Sequence, residues 1–442
     1  MKTHLRTILA TIMLLATATG VNAQSGINAP YSQYGIGLGS TPYNYPWAAA
    51  NGGTTATTAA FNIINPFNPA SAAAIEPESF VFDMGFNFER AQQNDPTTST
   101  SEFEGSIAYL SAGFPITRWW KTTVGLIPLS TTAYATTQPV KGADWDSMNT
   151  RYEGNGGLNQ VFWNNAFNVA PHLRLGVGAN YLFGTIQRAI TYDFKGLGST
   201  YFINSRRQKN TTVSNLTFQL GAQYDIALPN DHLLSLGLTT KVPQRMKVND
   251  ESLAYTYVDS NYSEYIRDTI FPLPGQSGQY KSTLAQPLAI TFGAALSKIN
   301  HWQVAIEAAY SPWSGLKYTE GTDANMLGSN TTTYGNNYRM ALSAERCGNP
   351  NEGSYWRRMA LTAGAHYERG KLRLNLNNEQ YVIDEWGFGA GVRLPMRKGR
   401  STINIAVAYR SIGTADLLKQ NTITLGIGVS SCEKWFTKRK YN

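Results

Sequence analysis

Few residues of this sequence have the types and spacing that catalysis or metal binding requires. His172, His232 and His301 lie far apart, each beside a predicted turn, so they do not form a set with metal-ligand spacing. His366 and Glu368 would share one face of a strand, which makes an acid–base pair conceivable, although polar residues on such a face more often only line it. The sequence contains no HExxH, GxSxG or Walker A motif. We therefore predict no catalytic residues, no metal, no cofactor and no enzymatic activity.

Two glycine-rich stretches invite comparison with phosphate-binding loops. They are Gly35–Gly39 (GIGLG) and Gly387–Gly391 (GFGAG). The first is not followed by the helical pattern that a dinucleotide-binding loop needs, and the second continues the alternation of a strand. We interpret both as places where another segment of the chain approaches the backbone closely.

Four arginines have the alternation that places them on the polar face of a predicted strand. They are Arg174, Arg339, Arg393 and Arg410. Acidic residues with the same alternation are Asp83, Asp225, Glu307 and Glu345. If the strands close into a barrel, these charges line its lumen. They could brace an internal segment against the wall, or they could coordinate the carboxylate headgroup of a ligand. We favour bracing, because inward charges are ordinary in closed barrels.

The N-terminus has the three parts of a secretory signal peptide. Lys2 and Arg6 supply the basic region, Ile8–Leu15 supplies the apolar region, and Ala16–Ala23 is a stretch of small residues that ends in Val-Asn-Ala. The apolar region is too short to anchor the chain in a bilayer. We predict that residues 1–23 are a signal peptide and that the mature chain begins near Gln24.

The composition is rich in glycine (40 residues) and aromatic residues (12%) but has only 15% charged residues, against roughly 25% in soluble domains. No run of about 18 apolar residues follows the signal peptide, so we predict no membrane-spanning helix. Removing Lys2 and Arg6 lowers the net charge from +8 to +6. We attribute this excess to attraction between the protein and anionic lipid, not to nucleic-acid binding. Cys347 and Cys432 could pair or stay free.

Segments of about ten residues, in which apolar residues alternate with polar or small ones, recur from Phe80 onward, as in transmembrane strands. In the last of them, Ile423, Leu425, Ile427 and Val429 alternate with Thr, Gly and Ser. Aromatic residues recur at the segment ends, as expected at membrane interfaces. We predict an all-β fold, a 14-stranded antiparallel transmembrane β-barrel over residues 79–430, located in the cell outer membrane.

The connections between these segments differ in length, which predicts the orientation of the barrel. Short turns, expected in the periplasm, are Pro115–Arg118, Pro171–His172, Leu228–Asp231, Lys298–His301 and Pro395–Arg400. Long polar loops, expected outside the cell, are Ala91–Ser101, Thr136–Gly157, Gln187–Asn210, Val248–Gln279 and Ser314–Gly335. Residues 24–78 are too long for a tail, so we predict an N-terminal hatch, or plug, inside the lumen. Residues 431–442 are predicted to be a basic periplasmic tail.

Short motifs connect this sequence to a known family. Ile64–Ser71 (INPFNPAS), just before the first strand, resembles the Asn-Pro-Ala hatch motif of FadL-type outer-membrane transporters. Gly125–Ser130 (GLIPLS), Tyr338–Leu342 (YRMAL) and the basic ending Glu433–Lys440 resemble the Bacteroidetes branch of that family. The resemblance covers nearly the whole mature chain. It implies a fourteen-stranded, hatch-plugged barrel that moves hydrophobic compounds across the outer membrane.

The same resemblance assigns roles within the hatch and the wall. The hatch motif is formed by Asn68, Pro69 and Ala70, and the apolar hatch contacts for a ligand are Phe61, Ile63 and Phe67. Members of the family are thought to release cargo through a lateral opening in the barrel wall. In the third strand, Pro128 lacks the N–H that a ladder bond needs, and Gly125 would tolerate a bend. Alternatively, Pro128 lies near the outer end of the strand, where pairing has already stopped.

Two functions are compatible with these features. The first is passive uptake of small hydrophobic, fatty-acid-like compounds, which predicts a continuous apolar pocket from the long loops to a wall gap near Pro128. The alternative is a barrel subunit that transports nothing and scaffolds a larger Bacteroidetes outer-membrane complex, for type 9 secretion or barrel assembly; this predicts a sealed wall and a packed lumen. Expected partners are outer-membrane lipid and either a hydrophobic small molecule or outer-membrane and periplasmic proteins, but not nucleic acid.

Overall fold

A computed structural model describes most of the chain after the N-terminus. The described residues are 27–39, 42–95, 98–141, 147–195, 203–260, 263–270, 278–314, 332–349, 352–376, 378–396, 400–414 and 416–434. The predicted signal peptide and residues 435–442 of the predicted basic tail lie outside these ranges. None of the helices in the described ranges is long and apolar enough to cross a membrane.

Fourteen antiparallel strands in the described part of the chain form one closed barrel. The strands are β1 (Ser79–Asn94), β2 (Ser99–Pro115), β3 (Trp120–Thr131, continued by Tyr134–Val140), β4 (Ser147–Ala170), β5 (Leu173–Lys195), β6 (Asn204–Leu228), β7 (His232–Lys241, continued by Gln244–Ser260), β8 (Gln279–Gln286, continued by Ala289–Lys298), β9 (Trp302–Ser311), β10 (Asn337–Arg346), β11 (Ala360–Arg369), β12 (Glu385–Pro395), β13 (Thr402–Gly413) and β14 (Lys419–Lys434).

Closure of the barrel is made by its first and last strands. They pair along their whole length, from Ser79 opposite Lys434 to Asn94 opposite Lys419. A closed barrel leaves no free sheet edge at this junction. The predicted 14-stranded antiparallel barrel is therefore confirmed, although the last strand ends at Lys434 and not at residue 430.

The alternation of residue types sets which face of each strand meets the membrane. In β6, Leu216 and Phe218 are 50% and 42% exposed, whereas Thr217 and Gln219 between them are each only 4% exposed. An apolar face that is exposed all round a closed barrel is the surface that lipid covers. The polar face points into the lumen, where it is buried by other parts of the chain.

Strand length differs around the barrel and corrects one prediction. Strands β4, β5 and β6 have 24, 23 and 25 residues, whereas about 9–11 residues cross a membrane. Consequently most of the predicted loops Thr136–Gly157 and Gln187–Asn210 are strand, as are parts of Ala91–Ser101 and Val248–Gln279. These predictions were wrong because polar loops rich in Thr and Tyr, which favour strands, can continue a β-ladder outside the membrane. Most of Ser314–Gly335 lies outside the described residues.

The two ends of the barrel have different connections. The end with the predicted short turns, which we call the turn rim, has connections such as Pro229–Asp231 and Ile299–His301, where Asn230 and Asn300 adopt left-handed conformations. A longer connection there contains helix α2 (Tyr355–Arg358). At the opposite end, the loop rim, Thr332–Tyr334, Leu372–Leu376 and Glu379–Val382 form a separate three-stranded sheet.

Residues 42–78 cross the lumen. Helix α1 (Pro46–Ala50) contacts β11, β12, β13 and β14, whereas the 3-10 helix Pro69–Ala74 contacts β3, β4, β5 and β6 on the other side of the barrel. A segment that contacts inward-facing residues on opposite sides of a closed barrel lies inside it. We call residues 42–78 the lumenal segment.

The main apolar core lies between the lumenal segment and strands β1–β4. Tyr45 is fully buried, and its ring stacks on that of Tyr109 at a centroid distance of 3.8 Å. The other buried residues of this cluster include Trp47, Ile63, Ile64, Ile75, Ile127 and Phe162, with Phe61 and Phe67 packed against them. The predicted hatch contacts Phe61, Ile63 and Phe67 therefore lie in a filled core. Burial of this cluster holds the segment against one side of the wall.

Candidate functional site

The Asn-Pro-Ala turn lies directly against the wall. The side chain of Asn68 donates to the Ala56 carbonyl at 2.6 Å and accepts from the Ala70 N–H at 3.1 Å, so it closes the turn from within. Glycines on β5 and β6 make this close approach feasible: a Cβ at Gly176 would lie 2.3 Å from the Ala70 nitrogen, and one at Gly221 would lie 2.2 Å from the Asn68 Oδ1 atom. The turn and the wall therefore fit only with glycine at these two positions.

Polar residues of the lumen bind the backbone of the lumenal segment. Gln219 donates to the Pro66 carbonyl at 2.7 Å, and Gln223 donates to the Ala56 carbonyl at 2.9 Å. The Ala56 carbonyl also accepts from Asn68, and the Pro66 carbonyl also accepts from Asn164, so side chains replace the partners that secondary structure would supply. The polar inner face of β6 is thus a docking surface for the segment rather than the lining of a water-filled channel.

A buried ion pair holds the middle of the lumenal segment. Glu307 of β9 accepts from the backbone N–H groups of Thr55 and Ala56, both at 2.7 Å. Its other oxygen lies 3.0 Å from Arg339 of β10, which in turn donates to the Gly52 carbonyl at 2.9 Å. The two side chains are 3% and 11% exposed. One ion pair therefore connects both strands to three backbone groups of the segment.

The other three predicted lumen arginines also have partners within the protein. Arg174 lies 2.6 Å from Asp225, and Arg393 lies 3.3 Å from Glu345. Arg410 donates to the Gly39 carbonyl at 3.3 Å. Because each guanidinium is engaged by the chain itself, the geometry favours bracing of internal segments over coordination of an anionic headgroup.

The predicted acid–base pair is not formed. His366 and Glu368 lie on the same face of β11, but the His366 Nε2 atom lies 3.3 Å from Glu385 of β12. Glu368 instead accepts from the side chain of Asn337 at 2.6 Å. In the described residues, no group of three or more His, Cys, Asp or Glu residues could hold a metal ion. Cys347 and Cys432 are both free thiols.

A seam opens in the barrel wall between β2 and β3. These strands pair only from Pro115 opposite Lys121 to Leu110 opposite Leu126. Beyond that point, residues 99–109 of β2 have a strand partner only in β1, within the described part of the chain, while β3 continues along β4. We call the separation between residues 99–109 and residues 127–140 the seam.

The seam begins at the position of the predicted lateral opening. The pairing of β3 with β4 shifts register between Pro128 and Ser130, so the strand bulges there, and the Pro128 carbonyl accepts from the Asn44 side chain at 2.9 Å. Gly125 does not form this bend, because it is paired with Ser111 of β2 and with Phe162 of β4. It instead leaves room for the Phe162 ring, which would lie 2.6 Å from a Cβ at Gly125.

Residues 27–39, which we call the N-terminal arm, lie in the seam. Leu38 and Gly39 pair with Thr131 and Ser130 of β3. The Ala29 N–H donates at 2.6 Å to the Ala133 carbonyl, which lies between the two parts of β3. Nothing in the sequence indicated this placement, because the arm lacks strand alternation and its partners lie about a hundred residues away.

Two cavities adjoin the arm. The larger has a volume of about 550 Å³ and lies beside the seam, lined by Asn28, Glu102, Tyr134, Ala135, Arg188 and Arg206, among others. The smaller has a volume of about 80 Å³ and lies between the arm, α1 and the wall, lined by Tyr43, Glu89, Glu104, His366 and Arg410, among others. The larger cavity falls within the size range of small-molecule sites, but its lining is mixed and not continuously apolar.

Comparisons with known proteins identify the fold. A family model described as BamG matches residues 5–442, and comparison with curated proteins gives no match. One similar solved structure is the CymD monoaromatic hydrocarbon channel, with 13% identity over 92% of this chain and 99% of that chain and a TM-score of 0.54. Another is the Ralstonia pickettii toluene transporter TbuX, with 13% identity over 88% of this chain and 97% of that chain and a TM-score of 0.55. A Pseudomonas aeruginosa FadL homologue is also similar, with 12% identity over 88% of this chain and 98% of that chain and a TM-score of 0.52. This FadL-like fold confirms the predicted location in the outer membrane.

Proposed function

This chain belongs to the BamG family, and we propose that it passes small hydrophobic compounds across the outer membrane through the seam between β2 and β3. The observation that carries the proposal is the loss of β2–β3 pairing beyond Leu126, beside a cavity of about 550 Å³. In a bilayer, a wall without ladder bonds has exposed backbone groups unless something covers them. Such a place is where a molecule can leave the barrel sideways.

The lining of the larger cavity suggests the kind of compound. Tyr134, Ala135 and Ala189 provide apolar surface, while Arg188 and Arg206 present guanidinium groups and Glu153 presents a carboxylate. Arg188 donates to the Gly35 carbonyl at 2.6 Å and Arg206 lies 3.4 Å from Glu153, so these groups form a polar side of the cavity rather than a free anion site. We therefore propose an amphipathic, fatty-acid-like compound rather than a pure hydrocarbon as the transported class.

The lumenal segment would act as the gate of this passage. It fills the lumen below the cavity and contacts the Pro128 carbonyl through Asn44. A compound that enters from the loop rim is therefore blocked from the turn rim and directed toward the seam. Residues 24–78 are accordingly proposed to be a hatch, as the Asn-Pro-Ala motif suggests.

Uptake into liposomes tests the proposal. Ala135 is exposed and lines the larger cavity, so Ala135→Trp should lower uptake of a fluorescent long-chain fatty acid by about fivefold or more, because a rigid indole narrows the cavity beside the seam. The matched control is Ala227→Trp, at an exposed position near the turn end of β6. Equal uptake by the wild type, both variants and empty liposomes would exclude transport.

The filled lumen favours a second candidate function, that of a non-transporting subunit in a larger outer-membrane assembly. The lumenal segment is buried and bonded to strands around the barrel, and β4, β5 and β6 are longer than a membrane crossing requires. The extra length would provide a surface for other proteins. Affinity purification from native membranes distinguishes the two: stoichiometric protein partners together with absent fatty-acid uptake would support the subunit.

A further inference from the structure

We infer that the N-terminal arm is a displaceable closure of the seam, hinged on β3 and latched on β2 by Glu102 and Glu104. The closure itself depends only on the contacts of residues 27–39. Its effect on uptake rests on the proposed function, which the experiment below separates from it.

The seam needs a closure because part of it lies in the membrane. Residues Phe103 and Ile107 of β2 are 71% and 64% exposed and alternate with inward-facing residues. Counting about 9–11 residues from the turn end at Pro115 places Ile107 within the bilayer and Phe103 near its interface. Exposed strand edges are not stable in hydrocarbon, because their N–H and C=O groups have no water to bind.

The arm replaces the missing strand along the edge of β3. Leu38 and Gly39 form a short antiparallel pair with Thr131 and Ser130. Nearer the loop rim, the Ala133 carbonyl accepts from the Ala29 N–H at 2.6 Å. The Ser32 hydroxyl also accepts from the Ala133 N–H at 3.1 Å and lies 3.3 Å from its carbonyl. The backbone bonds continue the β-ladder, and together with the contacts of the Ser32 hydroxyl they form the hinge side of the closure.

Contacts with β2 are of a different kind. The Ile27 N–H donates to the Glu104 carboxylate and the Asn28 N–H donates to the Glu102 carboxylate, both at 2.7 Å. The side chain of Gln93, on β1, donates to the Asn28 carbonyl. Side-chain contacts of this kind can break without disrupting any strand pairing. The β2 side of the arm is therefore a latch, and the β3 side is the part that stays attached.

The arm also connects the seam to the loop rim. The Tyr31 hydroxyl donates to the Leu418 carbonyl at 2.6 Å, in the connection between β13 and β14. The Tyr31 ring lies in a buried cluster with Leu372, Leu374 and Ile383, which belong to or adjoin the small sheet at that rim. A movement of these loops would therefore pull on the arm, so binding at the loop rim and opening of the seam are mechanically linked.

Hydrogen exchange measured by mass spectrometry tests the latch in the full-length protein in lipid nanodiscs. In the double variant Glu102→Ala, Glu104→Ala, the amides of residues 27 and 28 should exchange about tenfold faster or more, because two charge-assisted bonds are lost. The matched control Glu251→Ala, an exposed acid on β7, should leave the exchange unchanged. Unchanged exchange in the double variant, with an intact barrel, would overturn the inference.

A second variant and a second readout keep the outcomes distinct. The double variant could fail to form a heat-modifiable barrel on gel electrophoresis. In that case Ser32→Ala, which weakens the hinge side, should still accelerate hydrogen exchange of the arm. No acceleration in Ser32→Ala also overturns the inference. Fatty-acid uptake is then measured on the same samples. Faster exchange with increased uptake supports both proposals, whereas faster exchange with absent uptake in all variants supports the latch and contradicts transport.

Discussion

At the scale of single residues, the lumen is organised by side chains that replace the secondary structure that the lumenal segment lacks. Gln219 and Gln223 bind its carbonyl groups, and Glu307 binds two of its N–H groups. Alternation along the strands predicted that Arg174, Arg339, Asp225 and Glu307 face the lumen. The structure then pairs Arg174 with Asp225 and Arg339 with Glu307. Alternation could not indicate that the Glu307 carboxylate also binds backbone N–H groups. The donors, Thr55 and Ala56, lie 252 and 251 residues away in the chain, and no local pattern specifies such partners.

Loss of the Glu307 carboxylate should destabilise the protein strongly. Glu307→Ala leaves the buried Arg339 guanidinium without its charge partner and two N–H groups without an acceptor. Removing one member of a buried pair typically costs about 3–5 kcal/mol. We expect a loss of that size in the free energy of unfolding in detergent, measured by urea titration. The exposed Glu433→Ala serves as the control, and equal stability of the two variants would refute the bracing role.

At the scale of elements, alternation predicted the strands because lipid and lumen impose opposite polarity on successive residues. It could not predict where β4, β5 and β6 end, because pairing continues above the membrane, where neither face needs to be apolar. The arm was missed for another reason. It is bound by long-range partners such as Ala133 and Glu104 and has no pattern of its own.

Docking of the arm should weaken at high pH. Burial raises the pKa of Tyr31 to about 12, against the lowering effect of backbone hydrogen bonds with Thr414 and Leu418. Below pH 10 the phenol is protonated in both the docked and the released arm, so Tyr31 makes no pH-dependent contribution to docking. Between pH 10 and about 12 only the released arm loses its proton, which favours release by up to about a hundredfold.

An environment-sensitive fluorophore on Asn28→Cys, in a Cys347→Ser, Cys432→Ala background, would follow this release between pH 8 and 12. The backbone contacts of residue 28 are retained in that variant. Burial also raises the pKa of Tyr34. The fluorescence should therefore stay constant between pH 8 and 12 only when both tyrosines are replaced, in the double variant Tyr31→Phe, Tyr34→Phe. A transition that persists in this double variant would show that other groups control the arm.

At the scale of the whole molecule, the prediction of a closed 14-stranded barrel was right in strand number and pairing, and the comparisons agree with it. The Bacteroidetes origin stays a prediction. The molecule is asymmetric in a way that composition did not indicate: β4–β6 rise above the membrane, whereas β9–β11 have 10 residues each. The seam, to which we assign a function, lies next to the long strands β4–β6.

The most direct test of lateral passage is cryo-electron microscopy of the protein in nanodiscs with a bromine-labelled long-chain fatty acid. If compounds leave through the seam, elongated density should lie in the cavity between Tyr134 and Arg188 and continue between β2 and β3 toward the lipid. The arm should be displaced from Glu102 and Glu104 in the particles that hold this density. A closed arm in every particle, with no density in the cavity or the seam, would exclude lateral passage through the seam.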